Sequence, residues 1–226
     1  MAISINSVYQ KVLTFANKEQ RGYITPQEFN LFADHAQLEI FEQYFYDLNQ
    51  YSRGIDSSEE YSDIIHNINE KIAIFESTAV ITSGSINAMD LYRLGTVIYN
   101  FCEVEEVQQN EILQLNKSYL TQPSEYRPVY VRISEKVIEI YPKELNSTNI
   151  SCTYIRKPLK PSWGYVVINN KAMYDPTNKV DFELHQSEEN ELVYKILKFA
   201  GLSMRRNDLA QGGQGLESLQ IQQEKQ

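Results

Sequence analysis

The chain has 226 residues, with 30 Asp+Glu against 21 Lys+Arg for a formal net charge of −9, 42% hydrophobic residues, 16 Tyr and two Cys. That length suits one or two domains of roughly 100–200 residues, and the hydrophobic share excludes wholesale disorder. Two cysteines exclude a disulfide framework or a Cys-rich metal site, the acidic balance argues against gripping a phosphate backbone through the net field, and no apolar run reaches the roughly 18–20 residues of a membrane-spanning helix.

Met1 to Lys11 lacks the charged and continuous apolar regions of a signal peptide, so a soluble, intracellular chain is expected. Ile5, Val8, Tyr9, Val12, Phe15 and Ala16 instead follow helical spacing, and Gly22 suits a left-handed stop. Thr25-Pro26-Gln27-Glu28 is a capping box with proline at the first helical position. From there to about Gln50 two apolar stripes run side by side, Phe29, Phe32, Ala33, Ala36, Ile40, Tyr44 and Leu31, Leu38, Phe41, Phe45, Leu48. One stripe is enough for a surface helix, so two predict contact on two sides, from the chain's own domain or from a neighbouring subunit. Phe29, Phe32, Ile40, Phe41 and Phe45 are the candidate subunit-packing residues.

After a polar break at Ser52–Ser58, Tyr61, Ile64, Ile65, Ile68, Ile72 and Phe75 predict a third helix. Beyond Ser77 the texture changes to β-branched and alternating runs at Thr78–Thr82, Leu91–Phe101, Pro128–Ile133, Val137–Tyr141, Ile150–Ile155 and Tyr165–Ile168. Ser134-Glu135-Lys136 suits a hairpin, Leu145–Asn149 a second turn, and Gln108–Tyr119 a short helix. Ser187 then caps a helix with Glu188, Glu189 and Glu191 at its positive end, and Lys195, Lys198, Arg205 and Arg206 towards its negative end. The stretch from Ala210 holds three glycines, many glutamines and only Leu216, Leu219 and Ile221 as large apolar residues, which predicts a tail that orders on a partner. The expected fold is α+β: a helical domain from residues 1–76 and the C-terminal helix 187–206, an inserted antiparallel β region over 77–186 with a helix near 108–119, and a flexible tail over 207–226.

Asn17 to Glu28 matches the 12-residue calcium-loop skeleton at Gly22, Ile24 and Glu28. The ligand places hold Asn17, Glu19 and Arg21, however, and a guanidinium repels the ion, so a helix stop and a capping box account for these residues better. His35, His66 and His185 lie far apart, and no metalloprotease, nucleophile-elbow or phosphate-loop pattern occurs. No catalytic residue, metal ligand or cofactor is assigned, and both Cys102 and Cys152 read as buried thiols. Arg156, Lys157 and Lys160 share a proline-stiffened segment with Trp163. Contact with an acidic protein surface is the first reading of this basic loop and single-stranded nucleic acid the second.

Several stretches in order carry a resemblance: Ala16 to Asn30, Asp90-Leu91-Tyr92-Arg93, Pro128-Val129-Tyr130-Val131-Arg132, Tyr154-Ile155-Arg156-Lys157-Pro158 with Trp163-Gly164-Tyr165, and Asp181-Phe182-Glu183-Leu184 leading into Ser187-Glu188-Glu189-Asn190. Over residues 1–210 the chain resembles the head-to-tail connector (adaptor or ring) proteins of crAss-like and related short-tailed bacteriophages. The resemblance implies a non-enzymatic virion protein, made in the host cytoplasm and located in the neck. It implies a ring of about twelve copies below the portal, helical domains packed on neighbours and portal, a β-rich part facing the next tail component, and a C-terminal extension gripping the portal. The genome, double-stranded DNA, would pass through the ring without sequence-specific contact. Arg205, Arg206, Leu216, Leu219 and Ile221 are the candidate portal-docking residues. Alternatives are another tier of the neck or tail, or a nucleic-acid-handling module.

Overall fold

The computed structural model describes residues 3–16, 24–52, 59–147, 150–169, 171–203 and 207–224. In chain order the elements are α1 (Ile5–Ala16), α2 (Pro26–Ser52), α3 (Glu59–Ala73), β1 (Glu76–Thr82), β2 (Ser85–Ile86), β3 (Leu91–Tyr99), β4 (Cys102–Glu106), α4 (Gln109–Leu115), β5 (Val129–Arg132), β6 (Ile138–Tyr141), β7 (Ile150–Arg156), β8 (Tyr165–Ile168), β9 (Lys171–Tyr174), α5 (Glu189–Ser203) and α6 (Asn207–Glu224). The protein therefore mixes helices and strands. It divides into a helical unit, Met1–Ile74 with Pro158–Gln226, and a sheet unit, Phe75–Lys157.

In the helical unit, α1 buries Ile5, Val8, Tyr9, Val12 and Ala16, the face its spacing defines. The start of α2 is held reciprocally. The Thr25 backbone N–H and hydroxyl donate to Glu28 Oε2 at 3.0 and 2.7 Å, and the Glu28 N–H donates to Thr25 Oγ1 at 3.3 Å. These bonds favour the ionised carboxylate and hold Glu28 below its ordinary pKa.

Two amides seven residues apart on one face of α2 then fasten the returning chain. Asn30 accepts from the Trp163 N–H at 2.7 Å and donates to the Trp163 carbonyl at 3.4 Å. The fully buried Gln37 donates to the Leu159 carbonyl at 2.8 Å and accepts from the Glu183 N–H at 3.1 Å. Trp163 stacks on Tyr9, Tyr165 and Tyr174, with ring centroids 4.1, 6.0 and 5.7 Å away, and its Nε1–H donates to Asn6 Oδ1 at 3.1 Å. Phe182 and Leu184 are buried, and Phe182 bridges to Ile3. Residues 158–186, expected to continue the β region, therefore belong to the helical unit. The expected strand Tyr165–Ile168 forms as β8 and pairs with β9, apart from the seven-stranded sheet, while Trp163 and Phe182 of the same stretch are buried in the helical unit.

The sheet unit has strand order β2-β1-β7-β3-β4-β5-β6. Its pairings are antiparallel except β4 with β5, which run parallel from Glu105↔Val129 to Glu106↔Tyr130. The expected antiparallel region therefore holds one parallel pair: a chain that leaves β4, forms α4 and returns is long enough for the crossover that parallel neighbours need. Ile81, Val97, Ile138, Ile140, Ile150 and Cys152 fill one buried cluster. Gly95 sits beside a register shift in the β3–β7 pair, where a Cβ would meet Thr153 Oγ1 at 2.8 Å. Burial raises the Cys152 thiol pKa. Cys102, expected to be buried, is exposed because it follows the β3–β4 turn.

Candidate functional site

The stretch expected to be a tail is α6, and it packs on α5. Among its described residues, this contact is made by a glycine and a carboxylate. Gly213 is buried, and a Cβ there would meet the α5 backbone at Lys198 N (3.0 Å) and Tyr194 O (3.1 Å). One helical turn on, the buried Glu217 accepts from Lys195 Nζ at 2.7 Å and from Lys198 Nζ at 3.1 Å. Lys195, 1% exposed, also donates to Glu39 Oε1 of α2 at 3.0 Å and lies 3.5 Å from Glu191 Oε1. Burial works to lower the Lys195 pKa, but hydrogen bonds to Glu217 and Glu39 and the charges of Glu191 and Glu217 outweigh it and raise it. Burial likewise works to raise the Glu217 pKa, and Lys195 and Lys198 overcome it and hold it low. Sequence alone placed Lys195 as a partner of the helix dipole. The structure instead makes it the hub of a three-helix ion cluster.

Leu216 and Leu219 of α6 are 42% and 58% exposed, so this helix buries a glycine and a carboxylate while showing leucine outward. Ile221 lies on the same helix, its side chain outside the described residues, as are Arg205 and Arg206.

Of the five residues assigned to subunit packing, Phe29, Ile40, Phe41 and Phe45 are buried within the chain's own unit. Phe41 and Phe45 meet edge to face at 5.1 Å. Phe32 is half-buried and, with Leu31, Asp34, His35, Leu38 and Phe199, lines an open groove of about 390 Å³ between α2 and α5. The His35 ring lies 4.7 Å from that of Phe199, Lys198 Nζ lies 5.9 Å from the Phe199 ring, and Lys160 Nζ lies 3.6 Å from Asp34 Oδ2. Of the two α2 stripes, the first apart from Phe32 and the middle of the second build the helical unit. What remains for a neighbour is the Leu31, Phe32 and Leu38 side.

The four residues assigned to the basic loop fall in two units. Arg156 and Lys157 end the sheet unit, whereas Lys160 and Trp163 belong to the helical unit. The Arg156 guanidinium lies 5.9 Å from the Phe75 ring, and the Lys157 N–H donates to the Asp90 carbonyl at 2.8 Å. Trp163 is buried in its tyrosine stack, so its faces are unavailable to a base.

Two hairpins present exposed apolar side chains beyond the candidate residues. On β8–β9, Val166, Val167 and Ile168 are exposed consecutively, and Met173 is exposed across from Val166. On the sheet unit, β3 and β4 join through Asn100 and Phe101 alone, at φ +47° and +64°, with Tyr99 opposite Cys102. Phe101 is fully exposed at that tip. An Asn followed by one residue between two alternating runs is a hairpin signal, but a phenylalanine in the glycine place hides it.

A second cavity, of about 360 Å³, lies in the helical unit beside Tyr44, Ile64, Ile68, Lys71 and Glu188, where Lys71 pairs with Glu188. Among the described residues no group of three or more His, Cys, Asp or Glu side chains is arranged to hold a metal ion, and no helix is long and apolar enough to cross a membrane. No protein-family model matches the chain, and no curated protein matches it.

Proposed function

We propose that this chain is a non-enzymatic structural subunit of a bacteriophage head-to-tail connector, one of a ring of copies seated below the portal. In this reading the α+β subunit uses its helical unit for contacts with copies of itself and with the portal. Its inserted sheet unit faces the next neck or tail protein, and the packaged DNA passes through the ring without sequence-specific contact.

The observation that carries the reading is the β8–β9 hairpin. Consecutive strand residues point to opposite faces, so the exposure of Val166, Val167 and Ile168 leaves both faces of the ribbon open to solvent. A two-stranded ribbon is marginal by itself, and clustered exposed apolar side chains mark protein contact. The outward leucines of α6 add a second such surface at the segment that the resemblance assigns to the portal. The net charge of −9 suits a channel wall that DNA slides past instead of adhering to.

Cutting the chain after Asn207 tests the docking role. The shortened protein is expected to lose co-sedimentation with purified portal rings while the full chain retains it. Undiminished association would remove that role from α6.

A further inference from the structure

Among the described residues, α5 is the only element against which α6 packs along its length. What α5 offers is a seat of defined shape and charge. Its backbone at Tyr194 and Lys198 leaves room for a glycine at position 213, and the Lys195 and Lys198 ammonium groups donate to the Glu217 carboxylate at 2.7 and 3.1 Å. Gly213 and Glu217 are four positions apart, so they lie on one face of α6. Any second copy of the chain carries the same seat and the same pair. The link between the two helices, Met204-Arg205-Arg206, contains no glycine and no proline, the residues that most often end one helix and turn the chain into the next. The α5–α6 pairing therefore rests on its seat and not on turn chemistry.

We propose that in the assembled protein α6 is an exchanged arm, which leaves its own α5 and takes the same seat on α5 of a second copy. The contact itself identifies the occupant: Gly213 and Glu217 fit Tyr194, Lys195 and Lys198 in whichever copy carries them. Exchange of an identical element keeps every contact and every ion pair of the seat. Its cost is the opening of the link, which the high local concentration of seats in an assembly offsets. Each copy gives an arm to one neighbour and receives one from another, a head-to-tail contact that closes into a ring when the rotation permits. Leu216 and Leu219 stay outward on the seated arm, so it can hold a neighbour and still present them to the portal. The proposal rests on the ring reading above for its neighbours and names what joins them. A count of copies in the virion tests the ring, and the experiments below test the exchange on purified protein, so either can fail alone.

Equal amounts of unlabelled and heavy-nitrogen-labelled full-length protein are unfolded together in urea, refolded at high concentration and treated with a carbodiimide. This reagent joins the Glu217 carboxylate to the adjacent Lys198 amine, and mass spectrometry reads the joined peptides. With arms exchanged, about half of the Lys198–Glu217 crosslinks are expected to join a light peptide to a heavy one, the random share when both kinds of copy mix. Crosslinks confined to light with light and heavy with heavy, or no such crosslink at all, would overturn the proposal. Two full-length variants read the same contact by sedimentation. Glu217→Lys sets a cation against a seat of lysines, and Lys198→Glu, at a side chain 25% exposed, sets a carboxylate against the arm. Each alone is expected to self-associate at least about tenfold more weakly than the wild type. Mixed together they should assemble again. The introduced lysine of one then meets the introduced glutamate of the other, and native Glu217 meets native Lys198. A mixture that assembles no better than either variant alone would overturn the exchange.

Discussion

Lys195 shows how one side chain decides the docking of a whole helix. Its ammonium is removed from water and is tolerated only because carboxylates from α2, α5 and α6 surround it. Lys195→Met would leave the buried Glu217 with Lys198 as its remaining cation and should destabilise the protein by about 3–5 kcal/mol in urea unfolding. The pH dependence has a definite sign. Glu217 is held below its ordinary value of 4.5, so its contribution is present above that pH and is lost as pH falls through the lower folded value. Lys195 is held above 10.5, so its contribution is present below that pH and is lost on the alkaline side. Hydrogen exchange of α6 should therefore quicken in acid before that of α2. Glu217→Gln should abolish that acid dependence, and an unchanged acid profile would show that another group controls it.

At the scale of elements, Gly213 and Gly215, two of the three glycines of α6, form a matched pair. Gly213 lies against the α5 backbone, whereas a Cβ on Gly215 would meet nothing within 4 Å. Gly215→Ala should raise stability by up to about 1 kcal/mol through helix propensity alone. Gly213→Ala gains the same propensity but must push α6 off α5, and a net loss of about 1–2 kcal/mol is expected. Melting curves of the two variants read the difference, and equal gains would mean that α6 does not dock as described. These glycines also show why α6 was illegible in the sequence. Composition counts apolar side chains, and among the described residues α6 is held by a missing side chain and a buried ion pair. The capping box at Thr25 was legible because all its bonds lie within four residues. Trp163 beside three basic residues suggested a surface. Its burial depends on Tyr9 and Asn30, more than 130 positions away in the chain, and no local pattern records that.

For the whole molecule, helical periodicity gave α1, α2 and α3, and alternation gave most strands of the sheet, including the hairpin that joins β5 to β6 around Ser134–Lys136. The unit boundary at Lys157–Pro158 and the parallel β4–β5 pair were not legible, because both depend on which distant segment a strand or aromatic residue finds. The same limit applies to interaction surfaces. The apolar stripes of α2 named candidate contacts, but only folding shows that Phe29, Ile40, Phe41 and Phe45 face inward while Leu31 and Leu38 are left on the groove. Exposed apolar groups on α6, on the β8–β9 ribbon and at Phe101 fit a subunit that meets several neighbours at once.

The most direct test of that account is an image of the virion neck by electron microscopy, with the copies of this protein counted. The connector reading predicts a closed ring of many copies, about twelve by resemblance, directly below the portal. One or two copies per virion, or a location away from the neck, would contradict it.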